Sequence, residues 1–324
     1  MAVAGIILAV LAGMSWHLGL YRTVAYPILD QYEPWAEKRR QATQAADRGV
    51  IVLGTSQIRS DLRMAAVRQR WPGSIPVQLS INGAAFLGIL DDVARDPAIR
   101  GLVVIDYAPH VEFRAAPDPE MIPTRWVKRY HGDARVAKHL TALPLWYGLC
   151  YFLQNDRYSW TRLFQMATGE SRDPVTSDQD RDLFYDYSDL DEAQLQASRA
   201  KPYLPITDDP AIVARTLDAI SSDVQRIQER GGRVVIVYLP IGIRDRDHES
   251  QLFPQPLFFA PLRSSGAIVI DYRDYPALAS FDPPDNFHLD QKDQSAFEQA
   301  FLHILEDRLT AVGDDRLRTW GHAP

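Results

Sequence analysis

Three residue types that can act together in acyl transfer lie near opposite ends of this chain. Residues 50–62 read VIVLGTSQIRSDL: an apolar run from Val50 to Leu53, then Gly54, Thr55 and Ser56, then a polar stretch with helical character. A serine at a strand end, beneath a helix N-terminus, is where an acyl-transfer nucleophile belongs; the alternative is that Gly54 and Thr55 make a tight turn and Ser56 caps the helix. Near the other end the chain reads FDPPDNFHLDQ, with Asp285 and His288 three apart in a Pro-rich loop just ahead of the last helical pattern. That spacing lets one turn of backbone bring a carboxylate beside an imidazole. The carboxylate then fixes the tautomer and stabilises the imidazolium formed when the ring takes a serine proton. Between the two, VQLSINGAAF ends a strand at Asn82-Gly83. A glycine N–H can approach a substrate with no Cβ in the way, so Gly83 and the N–H of Ser56 are a candidate oxyanion-hole pair.

These residues need a scaffold, and the periodicities supply one. Short apolar runs bounded by turn residues recur at Val50–Leu53, Val77–Ile81, Leu102–Asp106, Val234–Leu239 and Ala267–Asp271, with helical patterns at Asp61–Trp71, Ala84–Arg95, Ala211–Arg230 and Gln291–Leu309. Strands apolar throughout, alternating with amphipathic helices, predict a three-layer α/β sandwich around a parallel five-stranded sheet. From about 107 to 210 the alternation stops and aromatics become dense, including Trp126, Tyr130, Trp146, Tyr151, Trp160 and Phe164. This stretch is expected to be a mainly helical insertion over the carboxyl edge of the sheet, forming an aromatic mini-core or a docking face.

The bulk composition narrows the function classes. The chain has 324 residues, 46% of them hydrophobic, and a net charge of −7. An acidic balance argues against neutralising a nucleic-acid backbone. A single cysteine, Cys150, excludes an internal disulfide framework and a cysteine zinc site. The remaining histidines show no metal-triad spacing, no Gly-x-Gly-x-x-Gly context is present, and neither a metal nor a cofactor is expected. RDRDHES at 244–250 reads as a solvated loop. From Ala2 to Tyr21 there is no Asp, Glu, Lys or Arg, a length near the roughly 20 residues that cross a bilayer as a helix. The expectation is a transmembrane anchor over 1–24, with a cleaved signal peptide or a core helix as alternatives, then a juxtamembrane helix or stalk over 25–48, then an α/β domain over 49–320.

Strand–Gly-Thr-Ser–helix, strand–Asn-Gly–helix and a terminal Asp-x-x-His-Leu together resemble the SGNH (GDSL-like) hydrolase superfamily, whose sheet is flavodoxin-like. Within it the pattern is closer to the membrane-tethered envelope branch of DltD-like and AlgJ/AlgX-like O-acylation proteins. The resemblance covers roughly 48–106 and 211–310 and implies Ser56 as nucleophile, His288 as base, Asp285 as its partner and Gly83 as oxyanion donor. It further implies a periplasmic body on a single inner-membrane anchor and an acyl donor supplied by a multi-span membrane acyltransferase. The acceptor would be a polysaccharide or other cell-wall glycan. Two departures stand out. Thr55 replaces the Asp of Gly-Asp-Ser, and no Asn follows the third strand, where VVIDYAPHVEF leaves Tyr107 or a backbone N–H as replacement donors. A non-catalytic subunit of the same fold, scaffolding an envelope polysaccharide complex, is the alternative these departures favour.

Overall fold

The computed structural model describes residues 24–25, 30–114, 122–132, 175–199, 205–207 and 209–321. In chain order the strands are β1 (Val24–Ala25), β2 (Gly49–Leu53), β3 (Ile75–Gln78), β4 (Leu102–Asp106), β5 (Val175–Ser177), β6 (Leu183–Tyr185), β7 (Arg233–Tyr238) and β8 (Ile268–Asp271). Five of them form one all-parallel sheet in the order β3-β2-β4-β7-β8. Counting core strands alone this is 2-1-3-4-5, the flavodoxin-like order, so the predicted fold class holds at this level. The order reverses between β2 and β4, and ligands in such sheets bind outside the carboxyl ends at that point.

The sheet forms because its strands have no polar face to expose. Val50, Ile51, Val52, Leu53 and the residues Leu102 to Ile105 are at most 1% exposed. Each such side chain contributes about 1.5–3 kcal/mol relative to leaving it in water. Helices cover both faces, five of which matter below: α1 (Tyr32–Ala45), α2 (Ser56–Asp61), α3 (Leu87–Arg95), α4 (Pro210–Glu229) and α5 (Gln291–Ala311).

Four expectations are revised. The segment read as a juxtamembrane helix or stalk does hold a helix, α1, but it packs on β2 and β3 as a layer of the domain. Its Trp35 is fully buried and donates Nε1–H to the Leu79 carbonyl at 3.1 Å. Its Arg39 is buried and pairs with Asp92 at 2.5 Å and Asp96 at 3.0 Å, at the C-terminal half and end of α3. The charge that made α1 look solvated is neutralised inside. The helix expected over Asp61–Trp71 is two helices, broken at Leu62-Arg63 without Gly or Pro. Long-range acceptors catch the second helix's first N–H groups: Arg63 N donates to Glu298 Oε1 at 2.9 Å and Met64 N to Asp182 Oδ2 at 2.7 Å. The helix expected from Ala84 begins at Leu87, because the Phe86 N–H is held by Glu112 Oε1 at 2.9 Å.

The insertion, expected to be mainly helical, also carries strands. Besides helices Ile122–Gly132 and Glu192–Arg199 it contributes a β5–β6 hairpin, and β1 joins this hairpin antiparallel to make a second, three-stranded sheet. The predicted anchor, apart from Val24, and most of the aromatic run lie outside the described residues. Among the described residues no helix is long and apolar enough to cross a membrane.

Candidate active site

The turn after β2 is built by close approach. Gly54 has φ +138, and a Cβ there would lie 2.4 Å from the Cβ of Asp106 at the end of β4. Only glycine fits between the two strand ends. Thr55 follows, and Thr55, not Ser56, caps α2: its Oγ accepts the Gln57 N–H at 3.1 Å. The same Oγ donates to Asp106 Oδ2 at 2.7 Å, and the Thr55 N–H reaches that oxygen at 3.0 Å. Burial raises the Asp106 carboxyl above the usual range, while these two bonds work to lower it. With capping done by its neighbour, the Ser56 hydroxyl is left for the partner the structure gives it, His288 Nε2 at 2.8 Å.

The histidine arrives from the loop before α5, which packs against α2. Asp285 Oδ2 faces His288 Nδ1 at 2.8 Å, and Asp285 Oδ1 accepts the N–H groups of Phe287 at 3.0 Å and His288 at 2.8 Å. Burial acts to raise the Asp285 carboxyl; the His288 ring and these two N–H groups overcome it and hold the group well below the usual carboxylate range. An ionised Asp285 requires a proton on Nδ1, which leaves the Nε2 lone pair to accept from Ser56. Ser56, His288 and Asp285 thus form one continuous hydrogen-bonded chain, and the structure brings these three predicted residues together.

Several supports of this chain carried no sequence signal that we read. Asn286 has φ +80, donates Nδ2–H to Asp245 Oδ2 at 2.7 Å and receives the Gly242 N–H on its carbonyl at 2.9 Å. Arg199 Nε donates to the Pro284 carbonyl at 2.6 Å. Asn is the non-glycine residue that best tolerates a left-handed backbone, so Asn286 in a Pro-Pro-Asp-Asn loop was the available clue. The stretch at 244–250 is solvated at Arg244, Asp247, His248 and Ser250 but is largely helical and turns three residues inward: Asp245 holds the histidine loop, Arg246 donates to the Ile241, Ala279 and Phe281 carbonyls, and Glu249 is 1% exposed beside His110. Tyr185 of β6 lies flat on the His288 imidazole, centroids 4.1 Å apart and planes 8° apart.

Gly83 sits at the same sheet edge. The Ile81 N–H donates to the Gly54 carbonyl at 3.1 Å, so the Asn82-Gly83 turn emerges beside the Ser56 turn. Gly83 is exposed with φ +60, and a Cβ there would meet nothing within 4 Å. Arg114 Nη1 donates to the Gly83 carbonyl at 3.0 Å. Tyr107 does not fill the vacancy left by the absent Asn. Its N–H donates to the Val237 carbonyl at 2.8 Å, its hydroxyl to the Phe258 carbonyl at 3.1 Å, and it is fully buried among Phe113 and Phe259. Both of its donors are committed to the core.

Among the described residues, one carboxylate cluster outside this site has metal-ligand spacing: Asp178, Asp180 and Asp182 in the β5–β6 turn, with ligand atoms within 4.8 Å of one another. Its charge is already met from the chain. Asp180 takes Lys38 Nζ at 2.8 Å and Arg68 Nη2 at 2.9 Å, and Asp182 takes the Met64 N–H. Burial and mutual repulsion raise Asp178 and Asp182 above the usual carboxylate range.

No protein-family model matches the chain, and no curated protein matches it either. Among solved structures it is similar to a Bacteroides fragilis protein provisionally described as an acylhydrolase, at 13% identity and a TM-score of 0.34, over 85% of this chain and 98% of that one. At that identity and superposition the likeness bears on neither fold nor chemistry, which rest on the chain's own topology and side chains.

Proposed function

We propose that this chain is a serine acyl-ester enzyme of the SGNH type, with Ser56 as nucleophile, His288 as general base and acid, and Asp285 as the group that orients His288. The single observation carrying this is the unbroken chain from Ser56 Oγ through His288 to Asp285, with Thr55 capping α2 in the serine's place. Ser56 Oγ attacks the acyl carbonyl as His288 Nε2 takes its proton, and the carbonyl π electrons move onto oxygen. The N–H groups of Ser56 and Gly83 receive that oxyanion. Collapse breaks the bond to the leaving alcohol, which takes the proton from His288. In the second half a sugar hydroxyl, or water, gives His288 its proton and attacks the acyl-serine; as the acyl–Oγ bond breaks, His288 returns that proton to Ser56 Oγ.

Acting on a glycan of the cell envelope, with acetyl as the first acyl group to test, deepens this reading. It rests on the resemblance of the Gly-Thr-Ser, Asn-Gly and Asp-x-x-His-Leu blocks to the tethered O-acylation branch. In the same reading, residues 1–24 anchor the chain in the inner membrane, the domain is periplasmic, and a multi-span membrane acyltransferase hands over the acyl group.

The test is turnover of p-nitrophenyl acetate, and Ser56 labelling by a fluorophosphonate, for the detergent-solubilised full chain beside Ser56→Ala and His288→Ala. The full chain is needed because cutting at 49 would strip α1 with its buried Trp35. Turnover lost in both variants supports the enzyme. An inert wild type whose Ser56 stays unlabelled would leave a scaffold subunit of the same fold.

A further inference from the structure

The insertion does more than cover the sheet edge. Most close ring pairs in this core meet edge-on or tilted, such as Tyr107–Phe259 at 87° and Phe113–Phe258 at 73°, the usual preference of aromatic quadrupoles. Tyr185 instead lies parallel to the His288 ring, with centroids 4.1 Å apart, and packs against one face of it. Tyr187 stacks on Tyr185 in turn, at 5.9 Å and 18°, and burial, then the neighbouring Asp285, pushes its hydroxyl far above the usual tyrosine range. The platform is fastened from several sides. Arg59 Nε of α2 donates to the Arg181 carbonyl at 2.7 Å, Gln294 Nε2 of α5 to the Leu183 carbonyl at 2.9 Å, and Tyr185 bridges to Asp290 through its backbone. The helix that begins at Ser56 and the segment that runs from Asp290 into α5, just after His288, therefore both hold the hairpin that bears Tyr185.

We propose that Tyr185 is a positioning residue for His288. Rotating the imidazole out of its plane about Cβ–Cγ would break the bonds to Ser56 and Asp285 together, and its swinging edge would run into the Tyr185 ring. The flat contact therefore restricts the one soft torsion on which both bonds depend. It also places a π face against the ring that becomes a cation when Ser56 gives up its proton. The inference rests on the reading of Ser56, His288 and Asp285 as the reacting set.

The test uses the full chain and two readouts, one of them independent of any substrate. In turnover of p-nitrophenyl acetate, Tyr185→Phe stays within about twofold of wild type. Tyr185→Ala and the bulk-preserving Tyr185→Leu lose about 10- to 100-fold in kcat with KM within about twofold, the size of effect a small misplacement of a reacting group has. In proton NMR the low-field signal of the His288 Nδ1–H is sharp in the wild type, in Tyr185→Phe and in Ser56→Ala, and is broadened in Tyr185→Leu. A sharp signal in Tyr185→Leu, or a Leu variant with wild-type kcat, overturns the role of Tyr185. If Ser56→Ala keeps wild-type turnover, it is the enzyme reading that fails, while the NMR signal still decides whether Tyr185 orders the ring.

Discussion

The serine and the histidine of the site are held by two different kinds of structure. Ser56 is separated from β2 only by Gly54 and Thr55, and this turn is wedged against β4 so closely that the Gly54 Cα has no room for a substituent. The sheet itself places it, through backbone ladders that no surface substitution touches. His288 sits in a loop, and its place is set by separate side-chain bonds: Asp285 to two N–H groups, Asn286 to Asp245, Arg199 to Pro284. The nucleophile is thus fixed by topology and the base by a set of individually removable contacts. Damage on the first side should be all-or-none in folding, and damage on the second graded in activity.

The comparison can be broken in four ways. Ser56→Ala and His288→Ala should each lower turnover by about four orders of magnitude or more, and the double variant should lose little further, because residues acting as a unit are not additive. A double variant far below either single one would mean the two act independently. Gly54→Ala should destabilise by about 3 kcal/mol or more in urea unfolding, since a Cβ must fit 2.4 Å from the Cβ of Asp106 at a strained φ. A Gly54→Ala chain that unfolds like wild type would show that the β2–β4 wedge can relax.

On the loop side, Asn286→Ala should cost about 1–2 kcal/mol in the same measurement, from the lost Asp245 bond and the left-handed backbone. It should lower kcat about tenfold, with Asn286→Gly recovering the backbone share alone. Equal kcat in all three would detach the loop from the chemistry. The mildest effect is expected at Glu112, which holds the Phe86 N–H at the end of the Gly83 turn. Burial pushes the Glu112 carboxyl up to about 8, against the lowering effect of that N–H. Between the ordinary glutamate range and about pH 8 the folded chain then binds a proton that the unfolded chain has released. Stability therefore falls as pH rises through that window. Glu112→Gln should remove this fall, raising Tm by about 2–6 °C at pH 8 with a smaller change at pH 5. Parallel Tm curves for the two proteins would show that Glu112 is ionised in the fold.

What was legible in the sequence follows the same division. Runs such as VIVL and LVVI can only be buried on both faces, so the parallel sheet and its carboxyl edge were readable, and with them Ser56. Asp285 and His288 are close in sequence, so local spacing sufficed for that pair. Contacts made across the chain were not readable. The long-range caps from Glu298 and Asp182 break a helix that local propensity would continue. The Arg39 pairs with Asp92 and Asp96 turn a charged helix into a buried layer. The strands VTS and LFY are too short to show a period, so the hairpin carrying Tyr185 was lost among the aromatics of the insertion.

The pairing of Val24↔Ser177 and Ala25↔Thr176 has a mechanical meaning. Tension on the chain ahead of residue 24 would be delivered first to a ladder two residues long, whose other strand is one arm of the hairpin that rests on the imidazole. So short a seam would unzip under far less force than the five-stranded sheet. It would give way before the turn that carries Ser56 feels any load.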